Sequence, residues 1–366
     1  MTAAARFASA HSTLKRRRTI PAPLELNWYD LYKTRSELDH RWSANAFIGN
    51  VSEDKENARA WEPTVNRLQG HRDSVYCAEF DSARVVTGSR DRSIKVWSLK
   101  TGRCLATIKG HRGSVLCLKF EKDWDLDSKN ALTAEGFTDW RRGFMVSGSS
   151  DHTVCVWDLY TCSNNDDPAA HADTAVAAEL RGVLRGHGDG VLDIEINPHW
   201  IVSCSKDALI RVWKRDTLEL HRTFDGHEGP VNAVGLQDNR IVSASGDGKL
   251  MMWDIATGER LRTFEGHARG LACVEFKDDI IVSGSNDQKI KVWNASTGEC
   301  IRTLTGHKDL VRALAFDPLS GRLVSGSYDR TVKVWDLRTG KMVREFQGQY
   351  ASHIFDVKFD CSRIVR

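Results

Sequence analysis

A glycine–histidine pair recurs along this chain, at Gly70-His71, Gly110-His111, Gly186-His187, Gly226-His227, Gly266-His267 and Gly306-His307. Four of the five intervals are 40 residues; the remaining one, from Gly110 to Gly186, is 76. A fixed period of this length means that one small supersecondary unit is stacked repeatedly, because such a unit cannot bury its apolar face alone. Tryptophans keep the same phase at Trp97, Trp157, Trp213, Trp253, Trp293 and Trp335. Ahead of each, apolar residues alternate: Ile94/Val96, Val154/Val156, Ile210/Val212, Leu250/Met252, Ile290/Val292 and Val332/Val334. Period two describes strands with one buried face. Upstream runs such as Val85-Val86-Thr87 and Ile281-Val282-Ser283 are short, apolar and closed by turn residues. No segment inside the repeats keeps a helical period, so the expected architecture is all-β.

The tryptophan is followed by aspartate at Trp157-Asp158, Trp253-Asp254 and Trp335-Asp336, and by another residue at Trp97-Ser98, Trp213-Lys214 and Trp293-Asn294. A tandem unit of about 40 residues carrying Gly-His and Trp-Asp resembles the WD repeat, in which each unit forms a four-stranded propeller blade. The resemblance implies a seven-bladed WD-repeat β-propeller over residues 59–366, with six complete blades and a truncated seventh. That seventh unit begins at His353 to Phe359 and reaches Arg366 within its second strand. In WD propellers the N-terminal strand, here Thr64 to Leu68, pairs with the third strand of the last blade. With that partner lacking, Thr64 to Leu68 is expected to be poorly paired, and the edge beside Cys361 to Arg366 exposed.

Outside the repeats the pattern changes. Residues 1–26 are polar and basic and read as a disordered tail, within which Lys15-Arg16-Arg17-Arg18 suits a nuclear localisation patch. From Asn27 to Trp42, apolar residues at Trp28, Leu31, Tyr32, Leu38 and Trp42 fall at helical spacing. A short N-terminal helix with a polar linker is therefore expected over 27–58. Two insertions, Asp123 to Arg142 and Cys162 to Thr174, account for the long interval and are expected to be surface loops.

Every unit also repeats a histidine, a serine or threonine, an aspartate and the tryptophan. The sets are His71/Thr87/Asp91/Trp97, His111/Ser147/Asp151/Trp157, His187/Ser203/Asp207/Trp213, His227/Ser243/Asp247/Trp253, His267/Ser283/Asp287/Trp293 and His307/Ser325/Asp329/Trp335. A hydrolase needs one strained, solvent-reachable nucleophile, and six copies argue against that chemistry. By resemblance to WD repeats, Asp pairs with His, His with the hydroxyl, and the hydroxyl with the indole N–H. No phosphate-binding loop and no paired hairpin carboxylates are present, and no histidine has metal-ligand spacing, so neither an enzyme, a cofactor nor a metal is expected.

Composition narrows the setting. Lys and Arg total 52 against 49 acids, a net charge of +3, which gives no reason to expect nucleic-acid binding. No run approaches the length of a membrane span, and the nine cysteines show no Cys-x-x-Cys pair. A cytoplasmic or nuclear home and protein partners are expected.

Candidate binding residues sit at two places per blade: on the innermost strand, and just before the hairpin aspartate. They are Tyr76, Arg90, Lys206, Asn232, Asn286, Arg312, Tyr328 and Phe355. Arg90 and Arg312 would share one side of the channel mouth, close enough to hold one phosphate. Val75-Tyr76-Cys77 with Gly88-Ser89-Arg90-Asp91, and Leu310-Val311-Arg312 with Ser327-Tyr328-Asp329, resemble blades of F-box/WD-repeat ubiquitin-ligase substrate receptors of the beta-transducin-repeat-containing type. Trp28 to Trp42 resembles the segment linking F-box to propeller in that family, although residues 1–26 hold no recognisable F-box. The resemblance implies a scaffold that binds a peptide or phosphopeptide, with a Skp-type adaptor and a cullin as partners. The alternative is a transcriptional corepressor or signalling adaptor. Asp356, where such receptors can carry another arginine, would repel phosphate.

Overall fold

A computed structural model describes residues 64–125, 131–134, 137–162, 175–347 and 352–366. Among them every regular element is a strand. The first sheet runs Val75–Phe80, Arg84–Ser89, Ser93–Ser98 and Cys104–Lys109, antiparallel in sequence order from the inside outward. Four more sheets copy it, with inner strands Val191–Ile196, Val231–Gln237, Leu271–Lys277 and Val311–Asp317. In the second blade, which starts at Val115–Phe120, a fifth short strand, Ala131–Ala134, pairs with the long Phe137–Ser149. That corrects the expectation of a loop over Asp123 to Arg142: the insertion continues the ladder outward as a hairpin.

The alternating residues ahead of each tryptophan are buried in all six sheets, between one blade and the next. Full burial of such a side chain stabilises by about 1.5–3 kcal/mol, so these strands hold most of the inter-blade core. A second device acts at the rim. Arg222, on the outer strand Leu220–Phe224, donates to Thr257 O (3.0 Å) and Ala256 O (3.2 Å) in the outer turn of the next blade. Arg262 does the same to Thr297 O and Ser296 O, and Arg302 to Arg338 O.

The expectation of seven blades is overturned. Among the described residues six sheets have four or more strands, and after Gln347 only Lys358–Phe359 and Ile364–Val365 pair, in a two-stranded sheet. This small sheet packs beside the first and sixth inner strands. Ile354 and Val357 are buried there, and Val365 packs against Phe80, Val85 and Trp97. The fold is a six-bladed propeller with a two-stranded insert, since two-residue strands cannot supply a blade's outer ladder. Thr64 to Leu68 forms no strand. No helix occurs among the described residues, and the helix expected within 27–58, like the tail before it, lies outside them.

Candidate functional site

Each inner strand slips its register once, between its first and third residues, at Val75/Cys77, Val115/Cys117, Val191/Asp193, Val231/Ala233, Leu271/Cys273 and Val311/Ala313. Such a bulge re-aims the side chain between them. Tyr76, Leu116, Leu192, Asn232 and Arg312 consequently line one central channel with Phe355.

Aromatic rings gather on one side of this mouth. Tyr76 meets Phe355 edge-on at 5.2 Å between centroids, Phe355 meets Tyr328 at 5.8 Å, and Tyr328 lies 4.7 Å from the His353 ring. Arg312 reaches the neighbouring blade, donating to Ala272 O at 3.0 Å, and Asn232 donates to Leu271 O at 2.6 Å. The structure therefore brings Tyr76, Asn232, Arg312, Tyr328 and Phe355 together. It does not bring in Arg90, Lys206 or Asn286, which stand exposed on hairpin turns. Arg90 lies 3.8 Å from Asp73 and Lys206 3.8 Å from Asp189. Of the two arginines expected to share a phosphate, Arg312 lines the channel and Arg90 sits on the hairpin outside that lining.

Deeper in the channel, the third residue of the inner strand reaches sideways. Cys117 Sγ donates to Val191 O (3.8 Å) and Cys273 Sγ to Val311 O (3.3 Å), whereas Asp193 accepts from Val234 N (3.1 Å). Asp356 accepts from Ala78 N (2.9 Å). Burial pushes the Cys77, Cys117 and Cys204 thiols well up and Cys273 to about 12, so these sulfurs stay protonated, and Cys117 and Cys273 act as weak donors. Burial also raises Asp193 to about 6 and Asp356 above its ordinary value, against the opposing ammoniums of Lys119 and Lys358.

One level further down lies an ionic lattice. Lys119 Nζ is 2.7 Å from Glu195 and 3.3 Å from Glu79, and Lys358 Nζ is 3.0 Å from Glu79 and 3.9 Å from Glu275. Burial alone would raise Glu79, but Lys358, Lys119 and Lys122 hold it well below the usual carboxylate range. This lattice escaped the sequence reading. Its signal was a charge at the fifth residue of several inner strands (Glu79, Lys119, Glu195, Glu275), on a face where the alternation calls for apolar residues.

The repeated quartets lie away from the channel. Trp Nε1–H donates to the hydroxyl at 2.8–3.0 Å in all six blades. The hydroxyl is 2.7–2.9 Å from His Nε2, and His Nδ1 is 2.8–3.1 Å from aspartate Oδ2. With the imidazole neutral and protonated at Nδ1, the histidine donates to the aspartate and accepts from the hydroxyl; in blade three the Arg211 guanidinium also lies 2.9 Å from His187 Nδ1. Burial, outweighing the aspartate, lowers the pKa of His111, His187, His227, His267 and His307, in keeping with that tautomer.

Among the quartet hydroxyls, Ser147, Ser203, Ser243, Ser283 and Ser325 are each 0% exposed, and Thr87 is 7% exposed. The sequence reading places them in the quartets, apart from the candidate binding residues, and they lie buried within the blades. Ser147 Oγ is enclosed between the Trp157 indole and the His111 ring, and Ser203 Oγ between Trp213 and His187. Ser243 Oγ lies between Trp253 and His227 in the same way, and Ser325 Oγ between Trp335 and His307. Their place is inside the blade, not at a binding surface, because each hydroxyl has its partners within the sheet. The aspartate also accepts a backbone N–H from the residue after the histidine, as Arg72 N to Asp91 at 2.9 Å. Each quartet thus joins a hairpin to the loop entering its own blade.

The same recurrence appears in comparisons with known proteins. Among relatives, WD repeat-containing protein pop1 of Schizosaccharomyces pombe is 31% identical over 169 residues, 42% of this chain and 22% of its own length. WD repeat-containing protein pop2 of the same yeast is 29% identical over 160 residues, again 42% of this chain and 22% of its own. Protein tipD of Dictyostelium discoideum is 33% identical over 173 residues, 46% of this chain and 23% of its own. The alignments thus span under a quarter of each relative's length. The profile of the family described as "WD domain, G-beta repeat" matches residues 62–98, 102–158, 178–214, 218–254, 258–294 and 298–336. Six matches in register with six antiparallel sheets, five of four strands and one of five, each closed by its quartet, mean that the chain belongs to the WD-repeat family.

Proposed function

We propose that this propeller is a protein-interaction scaffold that takes up a peptide segment of its partner at the channel mouth, and that within this class it is a substrate-recognition subunit of a Skp–cullin–F-box ubiquitin ligase. The convergence of Tyr76, Phe355, Tyr328 and Arg312 at one mouth carries the binding reading. Aromatic and arginine side chains on a rigid rim are the groups that anchor protein partners. The ligase reading rests on the segments around Tyr76, Arg90, Arg312 and Tyr328 that resemble those receptors. The quartets have no catalytic part in it: their hydroxyls are enclosed and already bonded.

Affinity capture of the full-length protein tests the ligase assignment. Recovery of a Skp-type adaptor and a cullin supports it. Their absence favours a corepressor or signalling adaptor, a reading to which the Asp356 carboxylate beneath the mouth and the Arg90–Asp73 pair already lend weight.

A further inference from the structure

Residues 352–366 join the ring differently from the six sheets. The inner strand of blade six, Val311–Asp317, buries five of its seven residues and pairs with the next strand at six positions. It cannot leave the ring without breaking that ladder. The insert pairs at two positions, and only with itself. Ile354 and Val357 are its buried residues.

Its seat is nonetheless shaped for it. Ile354 enters the socket that Gly326 leaves on blade six, where a Cβ would lie 2.6 Å from Ile354 Cγ2. Between blades five and six, Val311 fills the same socket at Gly284. Toward blade one, Phe355 meets the Tyr76 ring, Asp356 accepts from Ala78 N at 2.9 Å, and Lys358 Nζ lies 3.0 Å from Glu79. Toward blade six, Phe355 meets the Tyr328 ring, and His353 Nδ1 lies 3.1 Å from Tyr328 O. Each of these contacts runs through a side chain of the insert. Losing them together leaves the backbone ladder of every blade whole.

We infer that residues 352–366 form a gate: the insert leaves blades one and six as one unit while the six sheets stay folded, and only its docked form completes the aromatic mouth. Docked, it supplies Phe355, Asp356 and Lys358 to the channel wall. Undocked, it takes away the ring that meets both Tyr76 and Tyr328, and the channel opens sideways between blades one and six. Local opening draws on segments with few buried apolar contacts, which the insert is and the inner strands are not. The gate concerns the wall of the channel and does not depend on which partner the mouth takes.

Native-state hydrogen exchange of the full chain tests it without a substitution. The Ala78 amide, donor to Asp356, and the Val234 amide, donor to Asp193, make matched bonds at two different joints. The Ala78 amide is expected to exchange at least ~tenfold faster, and with little dependence on denaturant, because it is released without global unfolding.

Thiol labelling gives a second readout. Cys77, Cys117 and Cys273 lie opposite Gly88, Gly148 and Gly284, and Ala313 lies opposite Gly326 in the same register. Ala313→Cys therefore puts at the insert's joint a side chain that this position already holds in three blades. Ala313 is 4% exposed and packs with Ile354 and Val357. N-ethylmaleimide, followed by peptide mass spectrometry, should modify the thiol of Ala313→Cys at least ~tenfold faster than Cys117 or Cys273. Adding Lys358→Ala should speed it further and leave Cys117 within ~twofold.

Equal protection of the two amides, or labelling of Ala313→Cys no faster than that of Cys273, overturns the inference. If Ala313→Cys melts lower than wild type, the wild-type amides decide.

Discussion

Asp356 Oδ2 accepts a hydrogen bond from Ala78 N at 2.9 Å, joining residues 278 apart in sequence. Asp193 and Val234 form the same bond between blades three and four. The two-stranded insert therefore uses an ordinary inter-blade contact to join the first inner strand, with Lys358–Glu79 one level below and Tyr76–Phe355 one level above.

Closure should depend on that acceptor. Asp356→Ala leaves the Ala78 amide without it, and an orphaned buried donor costs about 1–3 kcal/mol. Asp356→Asn keeps an acceptor and should lose less. Thermal unfolding, with proteolysis at the 352–366 segment, measures both. Equal stability of Asp356→Ala and wild type would show that the insert does not hold the ring.

The quartets make a parallel prediction. Asp247 accepts from His227 Nδ1 (2.8 Å), Glu228 N (3.1 Å) and Lys249 N (2.8 Å). Asp247→Ala strips all three donors of their acceptor and should cost about 1–3 kcal/mol, read by urea unfolding. Binding at the distant mouth should be unchanged.

Acid lability follows from the same groups. His111, His187, His227, His267 and His307 have lowered pKa values, so the unfolded chain takes up protons first as pH falls through about 6.5. The histidines' contribution to stability should be flat at neutral pH and fall progressively below it, a loss isolated from the Asp193 titration by measuring it in Asp193→Asn. The depressed carboxyls of Asp151 and Asp329, each about 2, add a second loss between about pH 4 and 2. A melting temperature of Asp193→Asn constant from pH 7 to 4 would contradict the neutral-histidine assignment.

Much of this fold could be read from periodicity, and the reasons it could are local. Gly-His, the alternating strand before tryptophan and the hairpin aspartate each recur because every blade solves the same packing problem. What escaped was set by neighbours far away in sequence. Trp124 is fully buried, with the Arg84 guanidinium 4.1 Å above its ring, and a Cβ at Gly143 would overlap that ring. Neither residue announces the other. At the mouth, Tyr76 and Phe355 were identifiable as candidates, but Arg90 and Lys206 lie outside the lining because the bulge turns inner-strand residues, not hairpin residues, into the channel. The seventh blade was inferred from strand-like residues 353–359. Two of those residues pair as strand, in a two-stranded sheet with no further ladder among the described residues.

The rim clasps give a prediction that links two blades. Gly258 has φ 83°, and a Cβ there would overlap the Arg222 guanidinium that bonds Thr257 O and Ala256 O. Gly258→Ala should therefore cost more than the ~1 kcal/mol usual for a left-handed glycine. In Arg222→Ala the overlap is gone, so the same change should cost only the backbone strain. A double-mutant cycle by urea unfolding isolates the difference, and an additive result would remove the clasp from the account of blade cohesion.

Asp193 offers the opposite sign of pH dependence. Its carboxyl titrates near 6 in the fold, raised chiefly by burial, and near 3.9 in an unfolded chain. Between those values the unfolded state has already lost the proton that the fold retains. Stability is thus eroded as pH rises from about 4 to 6, by up to about 2–3 kcal/mol before solvent in the channel reduces it. Asp193→Asn keeps an acceptor for Val234 N and removes the titration. It should raise the melting temperature at pH 8 and leave it unchanged at pH 4. A loss of stability at pH 8 would mean that the Asp193 charge, through Lys119, contributes more than its burial costs.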